Sequence, residues 1–365
     1  MSEKLKARVI KVQDLLKKPT KNYMLYYNYD NEAFMNTGIQ ESGSTPPFAS
    51  TTTGPGGKAI PGKIGVKQDI INGFAFLGMK SSFLATVSAA YPQDFIGKVV
   101  EALKTPGSAF IQALTSCDRG WRHALNVTHK VDKLAVDAGL WPLFSIKVRD
   151  GRPTYYLSRK LKAEPDREKL VEYINLLGKY RHLVRPSLNE DAIDKIWESY
   201  RQRNENILNL VRAFGDPEAQ LETYTIKPQE IPNQDLFAPG YGLCSGCGLA
   251  VSLNHLALAT YMVAGKNVII TNNTSCSEVS LSKDDVPSWK VPWMHHLFET
   301  SATIGDAIAT TQRILKTKGH FKGTPSVVIA IGGDGSTYDI GYQFLKAVLV
   351  RTGSFGIMNP LLKVD

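Results

Sequence analysis

The sequence predicts an α/β protein: a doubly wound, mostly parallel sheet with a helical extension. Two observations lead there. Short apolar runs alternate with amphipathic stretches over residues 21–158 and again from about residue 235, the mark of βαβ units. Between them, residues 163–215 are charged and helical, broken only by a Pro/Ser/Asn stretch at 186–189. With 365 residues, 43% of them apolar, the chain can bury one large domain plus such an extension.

Residues 1–20 read as a basic, loosely amphipathic helix with Leu5, Val9, Val12 and Leu16 on one side, expected to form a solvated arm. An aromatic strand is predicted at 22–29 and a Gly/Ser/Thr/Pro-rich loop from Gly38 to Gly65. A helix near 68–79, a strand at Phe83–Val87, a helix at 92–104 opened by Pro92 and a strand at Ala109–Thr115 follow. Residues 159–220 form the extension, and the polar stretch from Gly215 to about 225 reads as a linker. The second block then gives a helix at 248–264, a strand at Val268–Thr271, a helix at about 298–317, a strand at Ser326–Ile331 and a helix at 338–351. The tail, 354–365, has no pattern.

Composition excludes several classes. The longest apolar stretch, Gly248 to Gly265, is interrupted by Asn254 and His255, so no membrane span is expected. The basic start lacks an apolar core of the secretory kind, which points to the cytoplasm. The net charge of +9 is scattered and accompanies no nucleic-acid motif, so no nucleic-acid partner is expected. An anionic cofactor, an anionic substrate, an acidic protein or plain solubility would each account for it.

Ligands of open parallel sheets bind beyond the carboxyl ends of the strands. Here VIITNNT leads to Cys276, SVVIAIGG to Asp334, MLYYNY to Asp30 and Asn31, and AFIQALTS to Cys117. Four predicted strands thus deliver two thiols, a carboxylate and an amide to one edge. The Gly332-Gly333-Asp334-Gly335 turn would let a diphosphate approach the backbone, with Asp334 as a hard oxygen ligand for Mg²⁺, though it also fits an ordinary strand–helix turn. Cys244 and Cys247 stand at a helix start, where thiolates are favoured. With Cys117 and Cys276 they account for all four cysteines, which could bind Zn²⁺ or a [4Fe–4S] cluster or, taken singly, lie unligated.

Seven strings carry a resemblance: GYGLCSGCG (240–248), TNNTSCSEV (271–279), WKVPWMHHLFE (289–299), IGGDGSTYDIG (331–341), YDNEAFMNTGIQESGSTP (29–46), AYPQDF (90–95) and TSCDRGWR (115–122). They resemble the thiamine-diphosphate-binding β subunit of the 2-oxoacid:ferredoxin oxidoreductases, the pyruvate type in particular. The resemblance implies a thiamine-diphosphate-binding fold and oxidative decarboxylation of pyruvate to acetyl-coenzyme A, with electrons leaving through a [4Fe–4S] cluster to ferredoxin. It implies cluster ligands Cys117, Cys244, Cys247 and Cys276, and Mg²⁺ held by Asp334, Asn31 and the Ala33 carbonyl. Gly333, Gly335 and Ser336 would line the diphosphate, and Asn36 would be the catalytic residue facing thiazolium and substrate. His295, His296 and Glu299 lie in a matching string without an assigned role. The activating carboxylate and the outer clusters belong elsewhere in that family, so α-type and γ/δ-type partner subunits are implied, with coenzyme A as co-substrate. Two rival readings are a metal-stapled structural or interaction protein and the same chemistry on branched-chain or aryl 2-oxoacids.

One departure stands out. In the family the CSGC and GGDG block precedes the DNEAFMNTG block; here 221–353 carries the first and 21–158 the second. The order reads as a circular permutation, with 1–20 and 354–365 as extra segments flanking the new ends. Closure within one chain is expected over exchange between two copies, or over an inactive fusion.

Overall fold

In the computed structural model, which describes residues 5–233, 236–282 and 288–354, the apolar runs become one sheet. The chain enters through β1 (Ala7–Lys11) and a short α1 (Val12–Leu16), then β2 (Asn22–Asp30). A long irregular loop leads to α2 (Ile70–Ala75), β3 (Ser81–Ser88), α3 (Pro92–Lys104) and β4 (Gly107–Leu114). Pro92 occupies the first turn of α3, where a missing N–H costs nothing. After α4 (Asp118–Trp121) and α5 (Thr128–Asp137), β5 (Phe144–Arg149) and β6 (Arg152–Leu157) form an antiparallel hairpin around Asp150-Gly151, both with positive φ.

The extension is helical, as expected: α6 (Arg167–Leu176), α7 (Arg181–Val184) and the 25-residue α8 (Glu190–Phe214), capped by the Asn189 side chain. Then come β7 (Leu221–Thr225), α9 (Gly248–Ala264), β8 (Val268–Asn273), α10 (Cys276–Leu281), β9 (Trp293–His296), α11 (Ser301–Thr317) and β10 (Val327–Gly333). A wide turn at Gly335–Ile340 leads into α12 (Tyr342–Ser354).

The strand order is β1-β7-β6-β5-β3-β4-β2-β10-β8-β9, mostly parallel, with β5 antiparallel to both neighbours. Both faces are covered, as a parallel sheet requires. Along β2 the alternation is visible: Leu25, Tyr27 and Tyr29 join the core under α3 and α9, whereas Met24 and Tyr26 join the core under α2, α11 and α12. A third cluster, around Trp121, Trp141, Tyr173 and Ile193, binds the extension to the sheet.

Two expectations are corrected. Within the segment 1–20, the described residues 5–20 are not a free helical arm. β1 pairs with β7, and Val12 and Leu15 are buried in the α3/α9 core, each worth about 1.5–3 kcal/mol relative to exposure. The stretch read as a linker contains β7, pinned because buried Glu222 pairs with Lys147 (2.7 Å) and Tyr224 donates to Glu101 (2.5 Å). Asp235, where the second block was expected to begin, and most of the tail, 355–365, lie outside the described residues.

Candidate active site

The strands β4, β2, β10 and β8 are parallel neighbours, so their carboxyl ends share one edge. From β8 the chain passes to β9 on one side and then through α11 to β10 on the other. Helices following such strands diverge, and the crevice between β8 and β10 is where ligands of this architecture bind.

A narrow cleft of about 40 Å³ opens there, lined by Asn31, Ala33, Asn36, Cys276, Gly333, Asp334, Gly335 and Ser336, among others. The Asn31 amide reaches the Ala33 carbonyl oxygen (2.9 Å) and Asp334 Oδ1 (2.8 Å), donating to both from its nitrogen end. Turned end for end, its oxygen faces those two, so an amide, a carbonyl and a carboxylate oxygen lie side by side. Hard oxygens from a carboxylate, an amide and a carbonyl are the donor set Mg²⁺ takes, so the residues present fit that ion. Among the described residues no three His, Cys, Asp or Glu side chains gather as for a single metal ion; here only one of the three oxygens comes from such a side chain. Gly335 is required by the loop, because a Cβ would fall 2.4 Å from the Phe34 ring. Asn36 is exposed at the mouth of the cleft.

Burial, reinforced by the Asp30 carboxylate, raises Asp334 well above the usual carboxylate range, against a hydrogen bond from Ser42 (2.5 Å) and the charge of Lys67. The loop is held by groups that sequence reasoning missed. Lys67 bridges Asp30 (3.0 Å) and Glu32 (3.3 Å), the two carboxylates flanking Asn31. Lys179, from the extension, pairs with the other oxygen of Glu32 and sits over the Trp121 ring. Glu32 adopts a left-handed φ of 71°, a strained conformation that these two ion pairs hold in place. Trp121 Nε1 donates to the Asn31 carbonyl (2.9 Å). A buried lysine has no periodic signal; only the Asp-Asn-Glu triplet hinted at counter-charges.

The cysteines come to the same edge from three directions. Cys117 opens α4 and accepts from Gly120 N–H (3.2 Å), Cys247 caps α9, and Cys276 opens α10. The Gly246–Gly248 stretch is docked on the end of β4 by Gly248 N–H to Ser116 O (3.1 Å) and Thr128 to Gly246 O (2.5 Å). A Cβ on Gly248 would lie 2.8 Å from Ser116 O. The helix start was expected to favour thiolates, but burial outweighs it: Cys247 is pushed up to about 12, its backbone hydrogen bonds opposing. Burial, then Cys117 and Cys247, push Cys276 up as well. The charges of Cys117, Cys244 and Cys247 all act on Cys276, so the four thiols lie within electrostatic reach of one another. His295, His296 and Glu299 do not line the cleft, although Phe298 does, stacked on Phe34 at 5.9 Å. His295 Nε2 instead meets Thr274 Oγ1 (2.9 Å).

Among known proteins, the chain is similar to pyruvate synthase subunit PorB of Thermotoga maritima, 37% identical over 194 residues, 53% of this chain and 57% of that protein. PorB of Methanocaldococcus jannaschii is 42% identical over 161 residues, 44% and 51% of the two chains. Ketoisovalerate oxidoreductase subunit VorB of Pyrococcus abyssi is 35% identical over 191 residues, 52% and 58%. The chain spans a little over half the length of the relatives it matches. No family-wide sequence profile matches.

Proposed function

We propose, from the premise that this chain is a relative of the β subunits of the 2-oxoacid:ferredoxin oxidoreductases, that it is the thiamine-diphosphate-binding catalytic subunit of such an enzyme. One observation carries the reading: Asn31 and Asp334, near opposite ends of the sequence, meet with the Ala33 carbonyl at the crevice of the sheet. These three would hold Mg²⁺; Gly333, Gly335 and Ser336 would line the diphosphate; Asn36 would face the substrate. Cys117, Cys244, Cys247 and Cys276 would ligate a [4Fe–4S] cluster. When bound, thiamine diphosphate supplies the carbon nucleophile and electron sink by which a 2-oxoacid loses carbon dioxide, and the cluster takes electrons singly. Pyruvate is the favoured substrate, giving acetyl-coenzyme A, because PorB-type relatives at 35–42% identity match as well as or better than VorB-type ones at 34–35%.

Sites for small molecules usually enclose about 300–1,000 Å³, so the cleft is one wall of a site. An α-type partner subunit would supply the other wall, γ/δ-type subunits and ferredoxin would take the electrons, and the cytoplasm suits free thiols. The permuted order belongs to this reading. Its support is that β2 pairs directly with β10, and that Thr352 at the end of α12 donates to Ser108, beside the Gly107 paired with Asn22. The two family-like halves thus adjoin where the usual connection would run.

Anaerobic purification with iron, sulfide and thiamine assays tests the proposal. About four irons per chain and thiamine retained with Mg²⁺ are expected. Stoichiometric zinc without thiamine would overturn the assignment.

A further inference from the structure

We propose that the hollow at the amino-terminal edge of the sheet is a binding site for a small polyphosphate, of nucleoside triphosphate size and charge. It encloses about 470 Å³, within the range of small-molecule sites. Four cations on four elements ring it: Lys18 after α1, Lys80 before β3, Lys104 closing α3 and Arg149 closing β5. Among the described residues none of the four is in an ion pair; Lys104 Nζ reaches only the Thr20 hydroxyl (3.2 Å).

Two carboxylates also line the wall. Glu101 is already satisfied, by Lys147 (2.6 Å) and by the Tyr224 hydroxyl. That leaves Asp150 against four positive groups. Like charges gathered around a concave, partly apolar floor (Leu15, Pro106 and Val148) raise the local potential, and a compact anion relieves it. Burial already lowers the pKa of Lys104, a cost that a bound anion would reverse. The cations encircle a hollow and form no stripe along one face, so a small anion fits where a nucleic-acid strand does not.

This hollow is distinct from the Asp334 cleft. β4 runs from Gly107, at the hollow, to Leu114, at the cleft edge. At about 3.3 Å per residue the two lie roughly 25 Å apart, so a ligand here would act as an effector or a structural anion.

The test is calorimetric titration of the full-length chain with adenosine triphosphate and with inorganic triphosphate, in EDTA so that the Asp334 site lacks a cation. Saturable binding of at least one, weakened about tenfold or more in Lys80→Glu and in Arg149→Glu and unchanged in Asp334→Ala, is expected. Both substituted side chains are exposed, and unchanged thermal melts verify that the variants fold. Absence of saturable binding, binding indifferent to both charge reversals, or binding only of a polyglutamate peptide would overturn the proposal.

Discussion

Asp334 is surrounded by charges that leave it half-solved. Ser42 donates to it and Lys67 attracts it, yet burial and Asp30 hold it well above the usual carboxylate range. A divalent ion would reverse that balance. Asp334→Ala is therefore expected to abolish Mg²⁺-dependent thiamine diphosphate binding while leaving the iron content unchanged, as read by cofactor fluorescence quenching and an iron assay. Lys67 is the residue whose loss should be felt most in stability, since Asp30 and Glu32 would remain buried beside Asn31. Lys67→Met should cost about 3–5 kcal/mol in denaturant unfolding. Asp132 gives a pH signature. It accepts from Ser116 N–H (3.2 Å) and hydroxyl, and burial raises it to about 7 from an ordinary 3.8. Its folded form holds a proton that the unfolded chain has released, so its contribution is greatest below pH 4 and is lost as pH rises from about 4 to about 7. Asp132→Asn should flatten that part of the stability profile; an unchanged slope would refute the assignment.

At the scale of elements, the central strands were legible because a strand buried on both faces is mostly apolar or aromatic, as β2, β4 and β10 are despite Asn28, Asp30 and Gln112. The strands toward the two ends of the sheet were not. β7 is Leu-Glu-Thr-Tyr-Thr, polar by composition, and becomes a strand because Lys147 and Arg8 neutralise Glu222 and because Gly97 leaves room for the Tyr224 ring. None of those partners is near it in sequence. α10 and β9 were missed for a related reason: four to six residues carry too little periodicity to be seen. Gly97→Val should undock β7, because a Cβ there would already lie 2.2 Å from the Tyr224 ring. Leu15→Ala, on the neighbouring α1, should cost about 2–5 kcal/mol in chemical unfolding. If both substitutions leave stability unchanged, the entry segments contribute nothing to the core.

For the molecule as a whole, the question is whether one chain completes its own cleft. The gathering of Asn31, Asp334, Cys117 and Cys276 at one edge of the sheet was legible because each follows an apolar run at a strand end. The clamp of Lys67 and Lys179 was not, since it exists only once the loop and the extension fold over the strand ends. With β2 paired to β10 in one copy, mixing Asn31→Ala and Asp334→Ala proteins should restore no thiamine diphosphate binding. If copies exchange halves, some mixed molecules would carry one intact site and binding would reappear.

The β2–β10 seam also bears on how the protein is made. On a ribosome, β2 emerges early, whereas its partner strand follows about 300 residues later. Until then one side of a wholly buried strand has no neighbour. Such distant pairing slows folding and exposes an adhesive edge during synthesis. The nascent chain should therefore depend on chaperones until β10 has emerged, and a protease pulse before then should find the β2 region accessible. The chain order that separates Asn31 from Asp334 postpones their meeting until β10 has emerged.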